Sequence, residues 1–216
     1  AFIKDDDSLD LSGLEEAQRL SARAGLRMTL VDLELPEWNK VQQRDRLLGT
    51  SLTGVKDTFS AITSPETYEN PKEYEDYVLR VLRSAANGES ERYAAELRVN
   101  APLLVTTVKP EGTLSLVAGG VSPGIHMSHS PYYIRRMRIS SIDPLVQVVR
   151  ELGWPISPEV GTPGVSFEEQ MNNARTLVID FPVKTNSTQT KNDVSLSDQM
   201  DTYFQFQENY TNHNTS

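Results

Sequence analysis

A strand-forming run that breaks into a glycine-rich, hydroxyl-bearing loop constrains this chain more than any other feature. Val105-Thr106-Thr107-Val108 is β-branched throughout, which stiffens the side chains and favours an extended backbone. Lys109-Pro110-Glu111-Gly112 ends the run, Thr113-Leu114-Ser115 follow, and a second cluster, Gly119-Gly120-Val121-Ser122-Pro123-Gly124, precedes His126 and His129. A strand therefore delivers a donor-rich loop to one place. Its backbone N–H groups, with the hydroxyls of Thr113 and Ser115, suit a phosphate or another anion. An ordinary turn with glycine at positive φ fits the same residues. The segment lacks the Lys-Ser/Thr ending of a Walker loop, and Gly112, Gly119, Gly120 and Gly124 do not spell a dinucleotide fingerprint.

Composition narrows the chemistry. The 216 residues contain no cysteine, which excludes disulfides, thiolate catalysis and cysteine-ligated metals within this chain. Three histidines make an all-protein transition-metal site a poor expectation, so no metal ligand is assigned. The net charge of −9 argues against a general nucleic-acid binder. Arg135-Arg136-Met137-Arg138 is the local exception, open to surface ion pairing or to a role near an anion. No apolar run approaches the roughly 18 residues of a membrane span, and the first residues lack the pattern of a signal peptide. The expectation is a cytoplasmic protein without a membrane partner. The start without methionine, on residues typical of an element interior, suggests a piece of something longer.

Periodicity supplies the elements. Helices are expected over Asp10 to Gly25 with Ser12 as cap, over Pro36 to Leu48, and over Lys72 to Leu97. In the last of these, Tyr74, Tyr77, Val78, Val81, Leu82 and Ala85 share a face, and Asn87-Gly88 is a candidate interruption. Gly54 marks a place where backbone must approach closely. Leu103 to Val108 and Tyr132 to Ile139 read as strands, and Asp143-Pro144 opens a helix running to Gly153. Pro155 to Asn173 reads as loop-rich, and Arg175 to Phe181 as a buried strand ended by Pro182. Ser195 or Ser197 caps a final helix through Asn209, with Met200, Tyr203, Phe204 and Phe206 inward. Alternating strands and helices give an α/β class, part of a barrel, as one domain over residues 1–216. No catalytic residue can be read: no Ser-His-Asp set is visible in linear order, and His126 and His129 lie among prolines and glycines unsuited to a helix.

The longer pattern carries a resemblance. Thr106-Thr107-Val108-Lys109-Pro110-Glu111-Gly112-Thr113-Leu114-Ser115, with Gly124-Ile125-His126 and Ser130-Pro131-Tyr132-Tyr133-Ile134-Arg135-Arg136, resembles the adenosylcobalamin-dependent (class II) ribonucleotide reductases, most closely their ribonucleoside-triphosphate branch. Arg44 to Val55, Asp143-Pro144-Leu145, Val178 to Lys184, Phe206 to Tyr210 and Asn214-Thr215-Ser216 add matches in the family's order. The resemblance implies the second half of a ten-stranded α/β barrel, with the segment from Pro110 to Ser115 as the loop that holds the substrate's phosphates. The residues so implied are Gly112, Thr113 and Leu114 through their amides, Thr113 and Ser115 through hydroxyls, and Glu111 more weakly, since its carboxylate repels phosphate unless turned away.

The same resemblance implies reduction at the ribose 2′ carbon, with adenosylcobalamin as cofactor, a ribonucleotide substrate, a thioredoxin-like reductant and the remaining half of the barrel as partners. The family's radical-bearing and reducing cysteines are missing here, so the chain alone is expected to be inactive. Where reductases with a radical relay carry a tyrosine pair, this sequence has Asn212-His213, in keeping with a radical made locally. A diphosphate reductase of the same class, a non-catalytic nucleotide- or phosphate-binding module, and an interaction fragment with open barrel edges remain as alternatives.

Overall fold

A computed structural model describes residues 2–185, 187 and 189–214; Thr215 and Ser216, which close one of the resembling segments, lie outside the described residues. In chain order the first elements are α1 (Leu11–Met28), α2 (Pro36–Asp45), α3 (Val55–Ala61), α4 (Pro71–Leu97) and the short α5 (Leu114–Val117). Then come β1 (Tyr132–Ser140), α6 (Leu145–Glu151), β2 (Ile156–Pro158), α7 (Phe167–Asn173), β3 (Thr176–Lys184) and α8 (Leu196–Asn209). Two compact units result: residues 1–129 with 185–216, and residues 130–184.

The first unit is built on α4. Asn70 caps it by accepting the Glu73 N–H, and proline stands at its start, where a missing N–H costs nothing. The helix runs through Asn87-Gly88 without a break. Tyr74, Val78, Leu82 and Ala85 are buried as the periodicity predicts, whereas Tyr77 stays 38% exposed and stacks on Tyr74. One core cluster joins Val78, Leu79 and Leu82 to Val55, Val108, Phe206 and Tyr210. A second joins Ala86, Tyr93 and Ala94 to Ala22, Leu26, Leu48 and Val105.

Several boundaries differ from the sequence expectation. Asp10, not Ser12, caps α1 by accepting the Gly13 N–H. Gly25 lies inside that helix, where a Cβ would meet the Leu48 side chain at 3.6 Å. α2 stops at Arg46, which takes φ 43° and buries its guanidinium against the carbonyl of Thr29 at 3.0 Å. Trp38 and Val41 are exposed, so the apolar marks of α2 do not form a buried face. In α8 the capping box of Ser195 and Asp198 is present, and Phe206 is buried while Met200 and Phe204 are exposed.

Leu103–Val108 is not a regular strand. It is an extended rib held by one parallel bridge, Thr50↔Thr106, with backbone bonds from Leu48 to Leu104, Thr50 to Val105 and Thr107 to Thr50. On its other flank the amides of Asn212 and His213 donate to the Thr106 carbonyl. Residues 105–108 are all buried.

The second unit is a three-stranded antiparallel sheet in the order β1-β3-β2. β3 runs through Pro182, which faces Ile134 of β1, and ends at Lys184, three residues past the expected end at Phe181. Asp180 donates to Pro155 on the β2 side, so the alternation of the strand points the absent N–H of Pro182 to that same side, beyond the last β2 pairing at Ile179. Nothing is lost there, which is why proline is tolerated. The region read as loop-rich contributes β2 and α7. α6 starts after Asp143-Pro144 as expected, with the Leu145 N–H bound to Asp143. Arg136 pairs with Asp180 and Arg138 with Glu159, and Arg135 lies over the Tyr133 ring. These arginines are engaged within their own sheet.

Candidate functional site

The rib at 105–108 ends in the loop that the sequence singled out. Glu111 adopts φ 54°, and its carbonyl accepts the Ser115 N–H at 2.9 Å. Ser115 is buried and donates its hydroxyl to the Gly112 carbonyl at 3.1 Å. The turn is thus closed from within, and α5 continues it. Gly112, Thr113 and Leu114 are exposed. Their three successive N–H groups make no hydrogen bond among the described residues, so the loop presents consecutive donors to solvent. These amides open the first turn of α5, where a helix leaves its N–H groups unpaired.

The structure brings the five expected residues together but gives them different tasks. Gly112, Thr113 and Leu114 supply the free amides, and Thr113 an exposed hydroxyl. Ser115 points its hydroxyl proton inward and fixes the turn. Glu111 is half-buried. Burial is the main cause that pushes the Tyr210 phenol up, and the Glu111 charge adds to it.

Two further segments support the loop. Gly124, at φ +53°, lets the chain pass where a Cβ would stand 2.7 Å from the Lys109 carbonyl oxygen. Its N–H donates to Thr53 Oγ1 at 3.2 Å, and Ser51 Oγ accepts the Lys109 N–H at 3.1 Å. Gly54, at φ +72°, packs against Val121, where a Cβ would come within 3.1 Å. This is the close approach expected at Gly54.

Sequence reasoning missed two residues that set the rib. Asn212 Oδ1 accepts the N–H groups of Val105 and Thr106, each at 3.1 Å. Tyr210 is fully buried; its hydroxyl accepts from Gln18 at 2.7 Å and donates to the Thr50 carbonyl at 3.2 Å. An asparagine just past a helix end is the only local signal for the first, and it does not reveal a partner 107 residues away. Asn212-His213 therefore stands against the rib, with His213 Nε2 3.0 Å from the Leu48 carbonyl.

His126 and His129 are exposed. His126 lines a cavity of about 460 Å3 with Lys56, Lys191, Met127 and Tyr203. Among the described residues no group of three or more His, Cys, Asp or Glu is placed to hold a metal ion, and none of their helices is long and apolar enough to cross a membrane.

Comparison with known proteins follows this geometry. No family model matches the chain. It is 29% identical over 196 residues to an adenosylcobalamin-dependent ribonucleoside-triphosphate reductase of Lactobacillus gasseri, covering 83% of this chain and 25% of that protein. The corresponding enzyme of Euglena gracilis is 29% identical over 178 residues, 80% of this chain and 21% of that protein. A putative adenosylcobalamin-dependent ribonucleoside-triphosphate reductase of Mycobacterium phage D29 is 33% identical over 145 residues, 66% of this chain and 20% of that protein. In fold, the chain matches the crystal structure of a B12-dependent (class II) ribonucleotide reductase with a TM-score of 0.74 at 24% identity, covering 94% of this chain and 30% of that one. The chain spans about a quarter of the length of the curated relatives it matches. In sequence the chain is similar to adenosylcobalamin-dependent ribonucleoside-triphosphate reductases, and its α/β fold is similar to that of the class II ribonucleotide reductase structure.

Proposed function

We propose that the chain is the C-terminal portion of a class II reductase barrel, residues 1–216 forming one part of the catalytic domain, and that its loop at 111–115 grips the phosphates of a ribonucleoside triphosphate. The observation that carries this reading is the run of three exposed, unpaired amides at Gly112, Thr113 and Leu114, set at the end of a buried rib. The relatives' names specify a triphosphate substrate, which is the basis for choosing it over a diphosphate. In this role the three amides and the Thr113 hydroxyl bind phosphate oxygens. Ser115 holds the turn through its bond to the Gly112 carbonyl.

The chain itself positions and does not react. It brings no cysteine, so the thiols of ribose reduction belong to the rest of the cytoplasmic protein, as does the site for a thioredoxin-like reductant. Adenosylcobalamin supplies radical generation when bound. The described residues offer neither a thiol nor a metal-binding cluster, and none is assigned to the cofactor.

Titration of isotope-labelled chain with inorganic tripolyphosphate, followed by amide NMR, tests the reading. Saturable shifts are expected first at Gly112, Thr113 and Leu114. Shifts confined to other residues, or none at millimolar anion, overturn it.

A further inference from the structure

The loop's internal bonds close its turn, and neighbouring segments pack against its start. α3 begins after Gly54, which has no side chain with which to cap it. Ser122, from the glycine-rich segment, takes that place. Its carbonyl accepts the Gly54 N–H at 2.8 Å. Its hydroxyl accepts the N–H of Asp57, the third residue of α3, at 3.4 Å. In return the Ser122 N–H donates to Asp57 Oδ2 at 2.8 Å. These are the two reciprocal bonds of a capping box, as α8 makes them locally between Ser195 and Asp198. Here they close across 65 residues.

The other carboxylate oxygen is engaged too. Asp57 Oδ1 accepts from Thr185 at 2.9 Å and from Ser128 at 3.2 Å. The Thr185 and Ser128 hydroxyls stand 2.9 Å apart, and the Ser187 N–H donates to Thr185 Oγ1 at 3.2 Å. Asp57 is 7% exposed, and among the described residues no lysine, arginine or histidine pairs with it. A buried carboxylate without a counter-ion is costly unless donors surround it. This one is surrounded by donors from three separate segments.

We propose that Asp57 and Ser122 are positioning residues for the anion loop, acting through Gly124. The box holds residues 121–124 against the start of α3. Gly124 in turn backs onto the Lys109 and Pro110 carbonyls, where the rib turns into the loop. Release of the box withdraws that backing, and the amides of Gly112, Thr113 and Leu114 lose their common direction. The inference rests on the phosphate reading of the loop and extends it to residues that do not touch the ligand.

Tripolyphosphate affinity of the full 216-residue chain is the readout, measured by calorimetry alongside melting temperature. Asp57→Asn keeps the shape and removes the charge; Ser122→Ala removes the hydroxyl and keeps the backbone bonds. Each is expected to weaken binding about tenfold, and the double variant by much less than the product of the two, since paired residues are non-additive. Ala95→Gly, on the exposed face of α4, is the control: glycine in a helix interior lowers the melting temperature and leaves affinity unchanged, which separates positioning from general destabilisation. Should Asp57→Asn fail to fold, Ser122→Ala against Ala95→Gly decides the matter. Parent-like affinity in the folded box variants overturns the positioning role while the phosphate reading stands. A parent chain that binds no tripolyphosphate overturns both.

Discussion

α4 and the rib at 104–108 sit in the same unit and are held by opposite means. α4 makes its own backbone hydrogen bonds, caps itself through Asn70, and needs the rest of the chain only to cover its apolar face. The rib makes no bonds of its own. Its amides and carbonyls are paired by Thr50, Asn212 and His213, and the Thr106 hydroxyl donates to the Tyr210 carbonyl at 2.6 Å. The comparison teaches what each region depends on. The self-sufficient element carries the core, whereas the one satisfied from outside ends in the loop whose amides at Gly112, Thr113 and Leu114 are unpaired among the described residues.

The largest expected effect tests the helix side. Leu79 is fully buried, and Leu79→Ala should cost about 3 kcal/mol through lost burial and a residual cavity. In chemical denaturation the whole first unit should lose stability while tripolyphosphate affinity of the folded fraction is kept. A loss of affinity in that fraction would erase the distinction between core and loop.

A smaller and more local effect is expected at the rib. Asn212→Ala leaves the buried amides of Val105 and Thr106 without their acceptor, at a cost of about 2 kcal/mol. Hydrogen exchange should then quicken at those two amides more than in α4. Uniform acceleration across α4 and the rib would mean that they are one cooperative piece.

The smallest effect concerns a place where α4 breaks its own pattern. Glu75 is buried on the helix, and burial pushes its carboxyl above the ordinary range, opposed by Lys56 with its ammonium 3.5 Å away. A carboxyl raised in the folded state contributes stability that is fully present below its unfolded pKa and is lost as pH rises through the folded value. Stability of the parent should therefore decline over that interval. Glu75→Gln should flatten the decline and leave the loop's affinity unchanged. A pH profile identical to the parent's would show that Lys56 compensates fully.

Legibility followed the same divide. α4, α8 and the strands at Tyr132 and Thr176 were readable because their periodicity and caps lie within a few residues. The end of β3 was misplaced because proline in a strand is harmful only where a neighbour needs its N–H, and sequence does not show which side is vacant. α2 ends at its cap Arg46, short of the expected Leu48, because Arg46 turns its guanidinium in to the Thr29 carbonyl, a partner 17 residues away. The loop at 110–115 was found from glycine, proline and hydroxyl residues, yet the inward turn of Ser115 was not, since it depends on a bond to the Gly112 carbonyl three residues back.

By itself the sequence determined the long helix, the α/β class, the place of the loop at 110–115 and the absence of any thiol, which follow from residue type and short spacing. Its resemblance to the class II reductases rests on a longer joint pattern. Only the tertiary structure decided that Asn212 clamps the rib, that Ser122 caps a helix beginning at Gly54 and Val55, and that Gly124 backs the loop. Each joins residues far apart in the chain, and the hydrogen bonds that make them leave no periodicity behind.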